Sequence, residues 1–322
     1  MSKNILGIHH ITAIAGDPQE NIDFYAAVLG LRLLKKTVNY DDPQTYHFYY
    51  GDAEGSPGTV LTFFPVGRNN YRFSPGTGLV SAVAWSVPGG ALEYWVQRLG
   101  THSVEVQGPF ERFGERAIAF RDPDGLQLEL VETAEASGKP WEYGPVLREY
   151  AIRGFHSATL SVRLRQPTEQ LLVERLEFQP LAAEENRQRY FSTAGGPGRL
   201  VDILELPEGR NGAVGVGAVH HIAWRTPDDR TQLELRDTLD REGYFVSPVI
   251  DRNYFHSIYF REPGRIQFEI ATDPPGFLVD ESDGKLGSEL KLPRFLEPQR
   301  ETIVRVLEPV SVPEFLKTGV QR

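Results

Sequence analysis

Gly7-Ile-His9-His10-Ile-Thr12 near the start and Ala218-Val-His220-His221-Ile-Ala223 far along the chain are near copies, and together they hold half of the 8 histidines. Each pair lies in a short apolar run followed by a turn and a helix-like segment. An imidazole that leaves water needs partners for both ring nitrogens, so an apolar strand does not carry a histidine pair without cause. Adjacent strand residues face opposite sides, so one histidine of each pair points into any shared interior. Two equivalent strands aiming one imidazole each at one place are most simply explained by a metal ion.

The repeat extends beyond the histidines. Val80-Ser-Ala-Val-Ala-Trp-Ser-Val-Pro88 matches Val219-His-His-Ile-Ala-Trp-Arg-Thr-Pro227. Ala117-Ile-Ala-Phe-Arg-Asp-Pro-Asp-Gly-Leu-Gln-Leu-Glu-Leu130 matches Ser257-Ile-Tyr-Phe-Arg-Glu-Pro-Gly-Arg-Ile-Gln-Phe-Glu-Ile270, and Gly7 to Thr12 matches Gly154-Phe-His-Ser-Ala-Thr159. Period-2 apolar segments bounded by Gly, Pro and Asp read as strands, with one helical pattern per copy. Four modules result, at 1–66, 78–134, 152–207 and 216–273, followed by a tail at 274–322, and each reads strand, helix, strand, strand, strand. Asp17-Pro18 opens the first helix, with Pro at its first position and Gly30 just beyond its end. Pro227 opens the fourth. Lys35-Lys36 reads as a solvated strand edge.

Composition narrows the chemistry. A net charge of −10 is the wrong sign for a phosphate backbone, which argues against nucleic acid as a partner. No apolar run approaches the roughly 18 residues of a membrane span, and the first residues lack a secretory apolar core, so a cytoplasmic home is expected. With 0 cysteines there is no disulfide, no thiol nucleophile and no sulfur-ligated metal. Any ion is held by nitrogen and oxygen, which suits Fe(II), with Mn(II) and Zn(II) as alternatives. The Gly-rich stretches at 194–198 and 212–217 lack the strand–turn–helix setting of a phosphate loop.

Four βαβββ modules with His-His-Ile at module starts resemble the vicinal oxygen chelate superfamily, which includes glyoxalase I, bleomycin-resistance proteins and extradiol dioxygenases. The strings Gly16-Asp-Pro-Gln-Glu-Asn-Ile-Asp-Phe-Tyr25, Val28-Leu-Gly-Leu-Arg-Leu-Leu-Lys-Lys-Thr-Val-Asn-Tyr-Asp-Asp-Pro43 and Thr45-Tyr-His-Phe-Tyr-Tyr-Gly-Asp52 are similar to ring-cleaving dioxygenases that act on hydroquinones. The resemblance runs over the whole chain, including the tail Leu292-Pro-Arg-Phe-Leu-Glu-Pro-Gln-Arg-Glu-Thr-Ile303. It implies an α+β fold in which the modules form two open mixed β-barrels. It also implies a non-haem iron, extradiol-type dioxygenase whose partners are a small dihydroxy aromatic and O2, and it allows a homo-oligomer.

The same resemblance assigns the second histidine of each pair, His10 and His221, and Glu269 of the last strand, as metal ligands. Independently, Ile266, Phe268 and Ile270 share one face of that strand, so Glu269 faces the other, where a buried carboxylate needs a positive partner. A set of two histidines and one carboxylate leaves coordination positions open for substrate and O2. His9 and His220 then lie behind the ligands or hydrogen-bond beside them, and Thr12 shares the inward face with His10. Matching to the family suggests Arg252 and Tyr259 as catalytic groups near a substrate oxygen, with His256 a further candidate.

The repeats also predict what is missing. Ala82 stands in place of His221 and Ser157 in place of His10, while Glu129 persists at the Glu269 position, so a second site keeps one ligand of three. One metal per chain follows, with Glu129 and His156 structural. Because the ligands come from modules one and four, those two are expected to form the metal-bearing barrel and two and three the degenerate one. Two other functions fit the scaffold. A glyoxalase-type lyase or isomerase would need a further glutamate in module one, at a position that falls near Phe63. A non-catalytic aromatic-binding resistance protein would have no need of three ligands.

Overall fold

The computed structural model describes residues 4–134 and 137–317, so the first three residues of module one and the last five of the tail lie outside it. Module one comprises β1 (Ile8–Ala15), α1 (Pro18–Ile22) running on as a π-helical turn, β2 (Arg32–Asn39), β3 (Asp42–Gly51) and β4 (Val60–Pro65). Module two comprises β5 (Leu79–Pro88), α2 (Leu92–Thr101), β6 (Val106–Arg112), β7 (Glu115–Arg121) and β8 (Gln127–Thr133). Module three comprises β9 (Phe155–Val162), α3 (Arg165–Glu174), β10 (Gln179–Glu184), β11 (Arg187–Phe191) and β12 (Leu200–Glu205). Module four comprises β13 (Val219–Thr226), α4 (Asp229–Arg241), β14 (Ile250–Asp251), β15 (Phe255–Arg261) and β16 (Gln267–Pro275).

The strands form two 8-stranded mixed sheets, in the order β14-β15-β16-β13-β1-β4-β3-β2 and β10-β11-β12-β9-β5-β8-β7-β6. The expected fold class is therefore observed, and strands from the two ends of the chain share one sheet. Its centre is the antiparallel pair β1 and β13, where Thr12 lies opposite His221 and His10 opposite Ala223. β4 runs parallel to β1, and β16 parallel to β13. The period-2 pattern has its expected consequence in β16: Phe268 and Ile270 pack in the core from one face while Glu269, equally buried, leaves by the other.

Local signals act as their chemistry requires. Asp17 caps α1 by accepting from the Glu20 N–H at 2.8 Å, with Pro18 as the first helical residue. Gly30 takes φ +73°, the left-handed conformation of a helix C-terminus. In α4 the cap is Asp228, one residue past Pro227, and it accepts from the Thr231 N–H at 2.8 Å. Paired contacts stitch the two sheets together. The Tyr25 hydroxyl donates to Asp122 at 2.9 Å, and at the related place in the other half the Thr168 hydroxyl donates to Glu262 at 2.7 Å.

Lys35 corrects the reading of its dipeptide as a solvated edge. It is fully buried, and its ammonium donates to Asp280 and, at 2.6 Å, to Glu281. The tail explains this: it crosses β2, pairing Lys36 with Leu290, and so covers an edge that strand pattern alone would leave open. Among the described residues, no helix is long and apolar enough to cross a membrane.

Candidate metal centre

β1, β13 and β16 bring His10, His221 and Glu269 to one point. Their ligand atoms all lie within 4.8 Å of one another, and all three residues are buried. His221 Nε2 is 2.9 Å and His10 Nε2 3.4 Å from Glu269 Oε2. That oxygen nevertheless has no aligned hydrogen-bond partner, although it is fully enclosed. The two imidazoles and the carboxylate oxygen thus converge on one point. Burial alone would raise the Glu269 pKa, but His10 and His221 reverse the sign and hold it well below the usual carboxylate value. Burial lowers the pKa of His221, and Glu269 opposes that only in part.

The first histidine of each pair backs the second. His9 Nδ1 is 2.9 Å from His10 Nδ1, and His220 Nδ1 is 2.8 Å from His221 Nδ1. If the inner ring donates in each contact, its Nε2 is left as a bare lone pair aimed at the centre, the form that binds a cation. His9 itself is buried against Phe255, with ring centroids 5.1 Å apart.

A cavity of about 450 Å³ opens onto this point, within the range of small-molecule sites. Its walls include Thr12, His47, Tyr49, Phe64, Arg252 and Tyr259. Arg252 Nε donates to the Tyr259 hydroxyl at 3.2 Å, and its Nη1 pairs with Asp41 at 3.0 Å. Burial works against the Arg252 charge, yet Tyr259 and Asp41 raise its pKa above the ordinary value. Burial pushes the Tyr259 phenol up, and the Glu269 charge adds to that while Arg252 opposes it. Tyr259 therefore keeps its proton at neutral pH. Thr12 lies on the same wall and accepts a hydrogen bond from Thr62 at 2.8 Å.

His256 does not join the site. Its ring turns outward and binds Asp229 at the start of α4 at 2.6 Å, because it occupies the face of β15 that meets the helix. The residues not anticipated are Ser257, whose hydroxyl donates to Glu269 Oε1, and His47, held by Thr62 and Tyr49 at 2.9 Å each. The string Thr45 to Asp52 carries His47 at an alternating position, the one sequence signal that could have found it. The module-one counterpart of Glu269 is Thr62 and not Phe63: β1 pairs Thr12 with Thr62 as β13 pairs Ala223 with Glu269. Phe63 faces the opposite side, against Tyr25 at 4.4 Å. No second carboxylate faces the centre from this position.

The other half has the same skeleton and different chemistry. Ala82 and Ser157 occupy the histidine positions. Glu129 accepts two hydrogen bonds from Arg112, at 2.6 and 3.1 Å. Register places Asp202 of β12 at the Thr62 position, so this half keeps two carboxylates, one more than the sequence comparison found. Arg187 and Arg189 neutralise Asp202, at 3.2 and 2.7 Å. His156 binds Glu115 at 3.1 Å and Ser157 at 3.0 Å.

Residues 7–130 match the family model of the Glyoxalase/Bleomycin resistance protein/Dioxygenase superfamily. The chain is 48% identical over 314 residues to the "Putative ring-cleaving dioxygenase MhqO" of Bacillus subtilis (strain 168), covering 98% of this chain and 99% of that one. It is 35% identical over 319 residues to the chlorohydroquinone/hydroquinone 1,2-dioxygenase of Sphingobium indicum, covering 97% and 99%. A crystal structure from Bacillus subtilis, of a protein described in equally provisional terms as a dioxygenase, superposes with a TM-score of 0.93 at 47% identity over 97% of this chain and 99% of that one. By identity along its whole length and by its fold, the chain belongs to the glyoxalase, bleomycin-resistance and dioxygenase superfamily and, within it, to the group of ring-cleaving dioxygenases.

Proposed function

We propose that this protein is an Fe(II)-dependent dioxygenase that uses O2 to open a hydroquinone- or catechol-type ring, with His10, His221 and Glu269 holding the metal. The observation that carries the reading is the buried Glu269 Oε2, close to two imidazole nitrogens but aligned with neither. A buried carboxylate in such a place needs a cation, and two imidazole nitrogens with one carboxylate oxygen are a donor set suited to Fe(II) with positions left open. The full-length likeness to a hydroquinone 1,2-dioxygenase supports the substrate class. When bound, the iron would supply the redox chemistry with O2 and acidify a coordinated hydroxyl.

The protein side of the reaction follows from the walls of the cavity. Phe64 and Phe255 offer aromatic surface to a flat ring. Arg252 keeps a permanent positive charge beside the substrate and stabilises negative charge that develops on its oxygens. Tyr259 receives the Arg252 N–H on its oxygen, which leaves its own O–H free to donate to substrate, so it acts as a proton donor and not as a base. Threonine at position 62 weighs against a glyoxalase-type site with a second glutamate. The test is anaerobic reconstitution with Fe(II), followed by O2 uptake on adding hydroquinone, methylhydroquinone or catechol. Uptake with at least one of them, and a ring-opened product by mass spectrometry, is expected. No uptake with any of the three would overturn the reading.

A further inference from the structure

The structure assigns Ser257 the task of holding Glu269 as a one-oxygen ligand, an inference that rests on the metal reading above. Ser257 is fully buried on β15, and its hydroxyl donates to Glu269 Oε1. That bond occupies one carboxylate oxygen and leaves Oε2 as the one nearest both imidazoles. A carboxylate can engage a divalent ion through one oxygen or through both. A donor fixed on Oε1 selects the first mode and so preserves the open positions that substrate and O2 require.

The other half supplies an internal control. Strand pairing puts Ser257 opposite Ala271 in β15–β16 and Ala117 opposite Val131 in β7–β8, while Tyr259 faces Glu269 and Ala119 faces Glu129. Ala117 is therefore the counterpart of Ser257. With no hydroxyl there, Glu129 presents both oxygens, and Arg112 takes both. The alanine also shows that this backbone position packs without an oxygen atom. A hydroxyl enclosed in the core has a desolvation cost unless bonded, and Ser257 meets it on Glu269. The serine thus stands only where the imidazoles stand.

Titration of the metal-free protein with Co(II) tests the assignment, with the visible d–d absorption read for both affinity and coordination number. Ser257→Ala should bind Co(II) about 10- to 100-fold more weakly, the range seen when a partner of a metal ligand is removed. Its absorption per cobalt should also fall as the carboxylate becomes bidentate and coordination number rises. Ser257→Thr, which retains the hydroxyl, should recover both. Affinity in Ser257→Ala within about 3-fold of wild type with an unchanged spectrum would overturn the assignment, as would Ser257→Thr behaving like Ser257→Ala. Wild type that takes up no Co(II) would instead overturn the metal reading itself, and this inference with it.

Discussion

Glu269 and Glu129 occupy one address in two copies of the same architecture, and their surroundings answer them in opposite ways. Each lies on the last strand of its module, paired with the residue two past the inward-facing position of the first strand. Around Glu269 that inward position holds His221, and its mate on β1 is His10. Around Glu129 the corresponding residues are Ala82 and Ser157. Strand pairing also makes Arg252 the counterpart of Arg112. Arg112 reaches its carboxylate, whereas Arg252 is drawn aside by Tyr259 and Asp41. One half neutralises its inward carboxylates with guanidinium groups that are part of the chain. The other leaves that charge for two imidazoles and, on the present reading, a metal ion. The lesson is that backbone address alone does not make a metal centre. The half that holds the histidines also turns its arginine away from the carboxylate.

The largest expected effect comes from breaking the centre in one half and making the matching change in the other. His221→Ala should lower metal affinity by at least about 100-fold and abolish ring cleavage, while Glu129→Gln should leave both as they are, as read by metal content after dialysis and by O2 uptake. Equal loss from the two variants would erase the distinction between the halves. A smaller effect, on stability only, follows from Arg112→Met. It leaves Glu129 enclosed without its partner and should cost roughly 2 kcal/mol, less than a fully buried pair because Arg112 is partly exposed. Denaturant unfolding checks this, with metal content per chain expected to stay constant.

The smallest effect is a pH dependence to which His47, in the first half, contributes. Burial, with help from His10 and His221, lowers the His47 pKa well below its ordinary 6.5. The unfolded chain therefore takes up a proton below about pH 6.5 that the folded protein refuses, and stability falls with acidification by up to about 1.4 kcal/mol per pH unit until the folded value is reached. Thermal unfolding from pH 7 to 5 should show this slope in wild type and a flatter one in His47→Gln. A slope unchanged by the substitution would remove His47 as its source.

How much of this was legible in the chain depends on how far each determinant reaches. The histidine pairs and Glu269 stand out because a polar residue in an apolar alternation has a definite face, and period 2 gives that face directly. Which residue lies opposite which is set by turns and neighbouring strands, so pattern alone brings the module-one counterpart of Glu269 only near Phe63, and register identifies it as Thr62. Partners distant in sequence leave no local trace. Lys35 looked like an exposed edge because its carboxylates, Asp280 and Glu281, arrive with the tail. His256 attracted notice as a polar residue in an aromatic segment, but its parity puts it on the helix side, and Ser257 next to it has the inward face. Asp202 escaped notice because nothing around it repeats Glu129.

The most direct test is an anomalous difference map at the iron edge from crystals of the Fe(II)-reconstituted protein. A single peak per chain is expected, about 2 Å from His10 Nε2, His221 Nε2 and Glu269 Oε2, and none between Glu129 and Asp202. A peak in the second half, or none at the first, would contradict it.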